Sequence, residues 1–319
     1  MAITGRTAAW MALVAAAMLA GCTGLTPPPP EPEPAPAPVP VPEPEPEPAP
    51  RSDLSLALEL YYARLQNDLL EQGLMRGDGG GADTPFTDTM LARDFVRIAL
   101  YDEYVDDGSS VRPEARISRL RRWEGPVNFA VEFGPTIPEA QAARDRASVS
   151  AYVARLARVT GHPMGMTGTP NFTVMFLNED ERLALGPRLR ELVPGIADSS
   201  VRAIETLPRS TLCVVVAFSE PGGYAYTSAV AIIRAEHPDL MRMACIHEEL
   251  AQGLGLANDD PQARPSIFND DEEFALLTGH DELLLQMLYD PRLRTGMTAA
   301  EAAPVVREIA AEVMAGRGS

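Results

Sequence analysis

Between Pro27 and Pro50, 14 of 24 residues are proline, interleaved with Glu, Ala and Val. Proline has no N–H to offer a hydrogen-bond ladder and its ring holds φ at about −65°, so this stretch enters neither helix nor sheet and is expected to run as extended polyproline II. The folded part must therefore lie after it, in about 265 residues of 45% hydrophobic composition over the whole chain, enough for one large domain or two small ones. One domain with a helical preface is the favoured division. At about 3.1 Å per residue the tract reaches roughly 75 Å, the length of a spacer. A Pro-x-x-Pro docking ligand is the weaker reading, because acidic residues stand where basic anchors would be needed.

The residues before the tract suggest where that spacer is rooted. Arg6 supplies a positive n-region, Ala8 to Ala20 an apolar run too short to span a bilayer, and Leu19-Ala20-Gly21-Cys22 a lipobox. Residues 1–22 are expected to be a lipoprotein signal peptide, with Cys22 the lipidated mature N-terminus and 23–51 a Pro/Glu-rich disordered tether. The acyl chains would be the membrane anchor. Thr23 rather than Asp follows the cysteine, which by analogy with lipoprotein sorting in Gram-negative bacteria sends the chain to the outer membrane, with the inner membrane as the alternative. The domain then faces the periplasm.

A net charge of −18 excludes nucleic acid as a partner, since phosphate binding needs a basic face. All 27 basic residues are Arg, a matter of base composition rather than function, and the densest group (Arg116, Arg119, Arg121, Arg122) reads as a solvated face. With Cys22 lipidated, Cys213 and Cys245 remain. In an oxidising compartment two leftover cysteines are expected to be bridged, two buried apolar thiols being the alternative.

The periodicity predicts a helix from Ser52 to Met75, with Ser52 or Asp53 as N-cap, and a second from Asp88 to Val105; 52–110 is thus a helical segment. From 111 the texture becomes α+β. Ile117–Trp123 and Val127–Phe133 alternate like paired strands, and Pro138–Val159 is helical with Gly161 as its stop. Phe172–Leu177 is an apolar strand, and Asn178 caps a helix from Glu179 to Leu192. Cys213–Phe218 and Thr227–Ile233 are strands around Pro221-Gly222-Gly223, and Asp239 starts another helix.

That last helix carries the chemistry. Zinc-peptidase helices use H-E-x-x-H, two imidazoles on one face with Glu beside them to activate a metal-bound water. Starting at His247 puts Ala251 in the second ligand position, and a methyl group ligates nothing. Shifted by one, Glu248-Glu249-x-x-Gln252-x-x-Gly255-x-x-Asn258, followed by Asp259, keeps every spacing of the metzincin pattern H-E-x-x-H-x-x-G-x-x-H. Glu249 then falls on the general-base position, and Glu248, Gln252 and Asn258 replace the histidines. Ser266-Ile267-Phe268-Asn269 is similar to the metzincin turn, with Phe268 where Met would lie, and Leu277-Thr278-Gly279-His280-Asp281 to its closing helix. Cys245 to Met297, about 50 residues, also resembles the domain of unknown function 2927 family of bacterial lipoproteins, with a looser likeness back to Ser118. The matching pieces are His247-Glu248-Glu249-Leu250, Gln252, Gly255-Leu256, Asn258-Asp259, Ser266 to Asp271 and Tyr289-Asp290-Pro291-Arg292-Leu293. The resemblances imply an α+β, zincin/metzincin-like domain over 111–319 with a mixed sheet and a motif-bearing helix. They bring no known activity.

Glu, Gln and Asn offer oxygens where zinc wants imidazole or thiolate, so zinc is not favoured. A calcium- or magnesium-type cation on Glu248, Gln252, Asn258 and Asp259 is the ligand such oxygens would suit, against ordinary helix-surface chemistry as the bland alternative. His247 reads as a hydrogen-bonded core histidine before it reads as a ligand, with His280, beside Asp281, as its best conceivable partner. His162 and His237 precede prolines and are expected in loops. The run Asp270 to Glu273 is a solvated loop or helix start, or a cation-binding rim. The expected function is therefore a cell-envelope lipoprotein whose degenerate, non-catalytic cleft binds a protein, peptide or envelope polymer. The competing readings are an active metal-dependent hydrolase with Glu249 (or Glu248) as base, and a scaffold working through its 52–105 helices.

Overall fold

The computed structural model describes residues 50–106, 111–269 and 271–317. The expected signal peptide, Cys22 and the tether through residue 49 lie outside them, as does Asp270. Along the chain run α1 (Asp53–Glu71), α2 (Asp88–Ala99), β1 (Tyr101–Asp106), β2 (Val111–Ile117), β3 (Arg122–Trp123), β4 (Val127–Phe133), α3 (Glu139–Thr160) and β5 (Met164–Gly165). They are followed by β6 (Phe172–Leu177), α4 (Glu179–Leu183), α5 (Gly186–Leu192), α6 (Asp198–Glu205), β7 (Cys213–Ser219), β8 (Ala225–Arg234), α7 (Asp239–Gln252), α8 (Gly279–Leu288) and α9 (Ala299–Arg317).

β6 is buried at all its residues, as expected of a parallel strand covered on both faces. It pairs in parallel with β4 (Phe129↔Phe172 to Phe133↔Phe176) on one side and with β8 (Phe172↔Ala229 to Leu177↔Arg234) on the other. β7 runs antiparallel along β8, Cys213 opposite Ile233 and Ala217 opposite Ala229. The sheet is therefore mixed, with β7 as its antiparallel outer strand; the short β5 extends β4 and β3 pairs with the start of β8. Phe129, Phe172, Val174, Phe176 and Ile233 face a core shared with α2, α3, α7, α8 and α9. Met175, Leu177, Val230 and Ile232, with Val214, Val216 and Phe218 of β7, face α5 and α6. α1 is capped by Ser52 and lays Leu58 and Tyr62 on Met241 of α7.

Three elements depart from the sequence reading. The helix expected to reach Val105 stops at Ala99, and Tyr101–Asp106 turns into a hairpin with Val111–Ile117; Tyr101, Tyr104 and Val105 suit a pleated surface better than a helix. Ile117–Trp123 does not pair with Val127–Phe133, because Ile117 ends the hairpin while β4 pairs across to β6. The helix expected over 179–192 breaks at Ala184–Leu185, since Pro187 lacks an N–H and sits only in the first turn of a new helix. α2 packs into the domain itself: Leu91, Phe95 and Ile98 belong to the main core, with Val306 and Ile309 of α9.

Candidate functional site

α7 starts at Asp239, as its sequence implies, and lays Met241, Cys245, Ile246 and Leu250 into the core. Cys245 is joined to Cys213 at the start of β7, Cα to Cα 5.9 Å, so the expected bridge staples the motif helix to the outer strand. Glu248 and Glu249 come one turn later, at i+3 and i+4 from Cys245, and so lie beside the bridge. Their carboxylates and the Cys213 sulfur all lie within 4.8 Å of one another.

Glu249 is 3% exposed. It accepts a hydrogen bond from the Val215 N–H, while its Oε2 has no partner. Gln252, a turn on, donates to Asp259 Oδ1 at 3.3 Å. Glu103 from β1 and Glu272 from the loop before α8 complete a pocket of about 170 Å³ lined by Glu103, Glu248, Glu249, Gln252, Asp259 and Glu272 against Cys213–Val215. Burial first, then the charges of Glu249, Asp259, Glu272 and Glu103, push the Glu248 carboxyl well above the usual carboxylate range. Burial, then Glu103 and Asp259, does the same to Glu249, against the pull of the Val215 N–H. The pocket opens into a groove of about 690 Å³ between the β7 edge (Val214–Ala217), Asp102 and Glu103 of the hairpin, and Leu207 to Thr211 after α6.

The turn after α7 is Gly255, at φ +131°, where a Cβ would lie 2.3 Å from the Arg121 carbonyl oxygen, so only glycine fits. Asn258 beyond it is buried and turned away from Glu248: its amide donates to the carbonyls of Arg97 (3.1 Å) and Asp259 (2.6 Å), and its own N–H to Ile98. His247 points to the opposite face of the helix. Its Nδ1 accepts the Leu277 N–H at 2.9 Å, its ring stacks on Tyr152 at 4.0 Å, and the Tyr152 hydroxyl donates to its carbonyl. Burial, helped by Arg155, pushes its pKa down to about 3, so it stays a neutral acceptor. The candidate set thus divides: Glu248, Glu249, Gln252 and Asp259 share one pocket, and His247 and Asn258 are spent on the fold.

His280, the best conceivable partner for His247, is committed elsewhere. It is fully buried between Asp94 (3.2 Å) and Asp281 (3.7 Å), under Phe86. Burial disfavours its charge, but the two carboxylates outweigh that and raise its pKa. Asp281 also holds Ser266, Thr278 and the Ile267 N–H, which fixes the turn at Phe268, itself fully buried, and caps α8. His237 lies in the loop between β8 and α7, as expected, but is buried there beside Cys245. Of the acidic run, Glu273 pairs with Arg264 and Arg76 as a surface residue would.

Among the described residues, the one trio of His, Cys, Asp or Glu groups close enough to share a metal ion is Cys213, Glu248 and Glu249. Cys213 is oxidised, so two carboxylates remain, and neither imidazole nor thiolate is present. Zinc does not fit this donor set. Sequence reasoning missed Glu103, which lies in a stretch that looked helical, and no local signal marks it. Glu272 stood inside the acidic run, which pointed to a rim without saying which residue faces inward.

The chain belongs to the family described as Protein of unknown function (DUF2927), whose model matches residues 88–308. No curated protein and no solved structure matches it.

Proposed function

We propose that the folded part is a non-catalytic binding domain on a degenerate, metzincin-like zincin frame, held in the cell envelope by a lipid on Cys22 and displayed toward the periplasm on the proline tether. Its ligand is an extended protein or peptide segment in the groove beside β7. The frame is supported by a mixed sheet with an antiparallel outer strand next to a motif helix, a glycine turn and a closing helix, in the chain order of such domains.

The observation that carries the loss of chemistry is the fate of the three ligand positions. They hold Glu248, Gln252 and Asn258, and the Asn258 amide is committed to Arg97 and Asp259. The groove, by contrast, remains open. Because the Val215 N–H turns away from β8 to Glu249, strand alternation turns the backbone groups of Cys213 and Ala217 the same way, and no described strand pairs with them. With the Val215 N–H already taken by Glu249, such an edge leaves the outward backbone groups of Cys213 and Ala217 to an added strand.

The competing reading is a hydrolase using an oxygen-bound cation, with Glu249 as general base. Its support is the unpartnered Glu249 Oε2 and the raised pKa of that carboxyl. Protein purified without chelator separates the two. The binding reading expects no stoichiometric zinc, no cleavage of fluorogenic peptides, and slowed amide exchange across Cys213–Ser219 when a pool of randomised blocked peptides is added. Stoichiometric zinc with peptide cleavage abolished in Glu249→Gln would overturn it.

A further inference from the structure

We infer that the pocket between α7 and β7 receives a basic side chain, arginine or lysine, of the polypeptide bound in the adjoining groove; this rests on the binding-domain reading above. Two observations carry it independently. The first is the gathering of acidic groups: Glu248 and Glu249 stand side by side on α7, and Glu103, Asp259 and Glu272 join them from three other segments, so that an entering cation would favour the ionised form their mutual repulsion opposes. The second is the state of Glu249, which is 3% exposed yet has one carboxyl oxygen, Oε2, without a hydrogen bond. A buried acceptor left unpaired costs about 1 to 3 kcal/mol, and a donor entering the pocket would remove that cost.

The groove supplies the rest of the ligand. Groove and pocket share Glu103, Ser210, Thr211, Val214, Val215 and Gln252, so they are one continuous depression. A strand added along β7 sends every second side chain to the same face, and at Val215 the helix side of that face is occupied by Glu249. About 170 Å³ holds a guanidinium or ammonium on its stem and little more.

A divalent ion is less suited to the same space. It takes six or more oxygens drawn close together, whereas among the described residues no third carboxylate joins those of Glu248 and Glu249 within 4.8 Å, where the remaining group is a disulfide sulfur. A guanidinium brings five donors in a planar fork that matches carboxylate oxygens.

The test uses the full-length chain in detergent and two blocked pentapeptides, acetyl-Thr-Val-Arg-Val-Thr-amide and its twin with citrulline, the neutral isostere, in place of arginine. Calorimetry should show the arginine peptide binding at least about tenfold more tightly, as charge-assisted bonds replace neutral ones. In Glu248→Gln and Glu249→Gln the advantage should fall below about threefold by the same arithmetic, with both peptides still slowing exchange in β7. Equal binding of the twins with β7 protected would sink the basic-side-chain pocket and leave the groove reading standing. Absence of protection by either peptide would sink both. Calcium or manganese that binds the wild type but not Glu249→Gln, and excludes the arginine peptide, would make the pocket a metal site and overturn the proposal. Should either variant fail to fold, the comparison of the twins on the unmodified protein decides alone.

Discussion

Replacing Glu249 by Gln should make the protein more stable, and increasingly so as the pH rises. The folded pKa of Glu249 is raised well above its ordinary value by burial and by Glu103 and Asp259, while in the unfolded chain it returns to about 4.3. Between these two values the native state keeps the proton and the unfolded state has lost it, so stability falls as pH rises, by at most about 1.4 kcal/mol per pH unit per proton. Glu248 is raised by the same surroundings, so the pair gives up its protons in turn rather than together. Glutamine keeps the shape, still accepts the Val215 N–H, and has no proton to lose. His247 and His237 tilt the profile the other way: burial depresses both, so their contribution is lost as pH falls below about 6.5. They are present in variant and wild type alike, and cancel in the difference. With about 2 to 4 °C of Tm per kcal/mol for a domain of this size, the variant should gain about 3 to 6 °C over the wild type per pH unit within the window. Thermal melts by circular dichroism from pH 4 to 8 at constant ionic strength give the curve. A difference that stays flat, or a variant that melts lower at pH 8, would refute the buried, protonated pair.

Gly255→Ala should cost at least about 2 to 3 kcal/mol, because the new Cβ meets the Arg121 carbonyl at a φ that L-residues avoid; a melting curve within about 2 °C of wild type would contradict this. Replacing Cys213 and Cys245 together by Ala removes a bridge across 32 residues and should lower stability by about 3 to 4 kcal/mol in urea titration, an effect that should vanish when wild type and variant are compared under reductant. Cys22→Ser should move the chain from the membrane to the soluble fraction of a cell lysate; a fully processed variant that still sediments with membranes would remove the lipid anchor from the proposal.

The parts of this fold that depend on neighbours along the chain were legible in the sequence. β6, β7, β8 and the Asp239 start of α7 follow from short apolar runs, turn residues and a favourable first-turn carboxylate. The spacing from Glu248 to Asp259 is likewise local, being a helix period followed by a glycine turn. Strand partners were not legible: β4 finds β6 only after a helix of 22 residues crosses over, and no residue within Val127–Phe133 announces that partner. The same divide runs through the site. Whether a polar residue near the motif is available depends on groups far away, such as the Leu277 N–H that claims His247 and the Arg97 carbonyl that claims Asn258.

The two carboxylates that remain are the informative ones, because the fold makes little use of them. Asp281 is equally buried but satisfies Ser266, Thr278 and a backbone N–H, so its removal would loosen the turn and the cap of α8. Glu249 holds a single N–H and leaves an oxygen bare, and Glu248 stands against it. A neutral residue at either position would serve the helix better, which is the content of the pH-dependent gain expected for Glu249→Gln. Local arrangements that lower stability without a packing return are found where a site must meet a ligand. The two experiments on Glu249 are therefore one argument: the same substitution should raise the melting temperature at neutral pH and erase the preference for arginine over citrulline. Stabilisation with that preference intact would mean that the pair is a defect of packing, and that the basic side chain is recognised elsewhere in the groove.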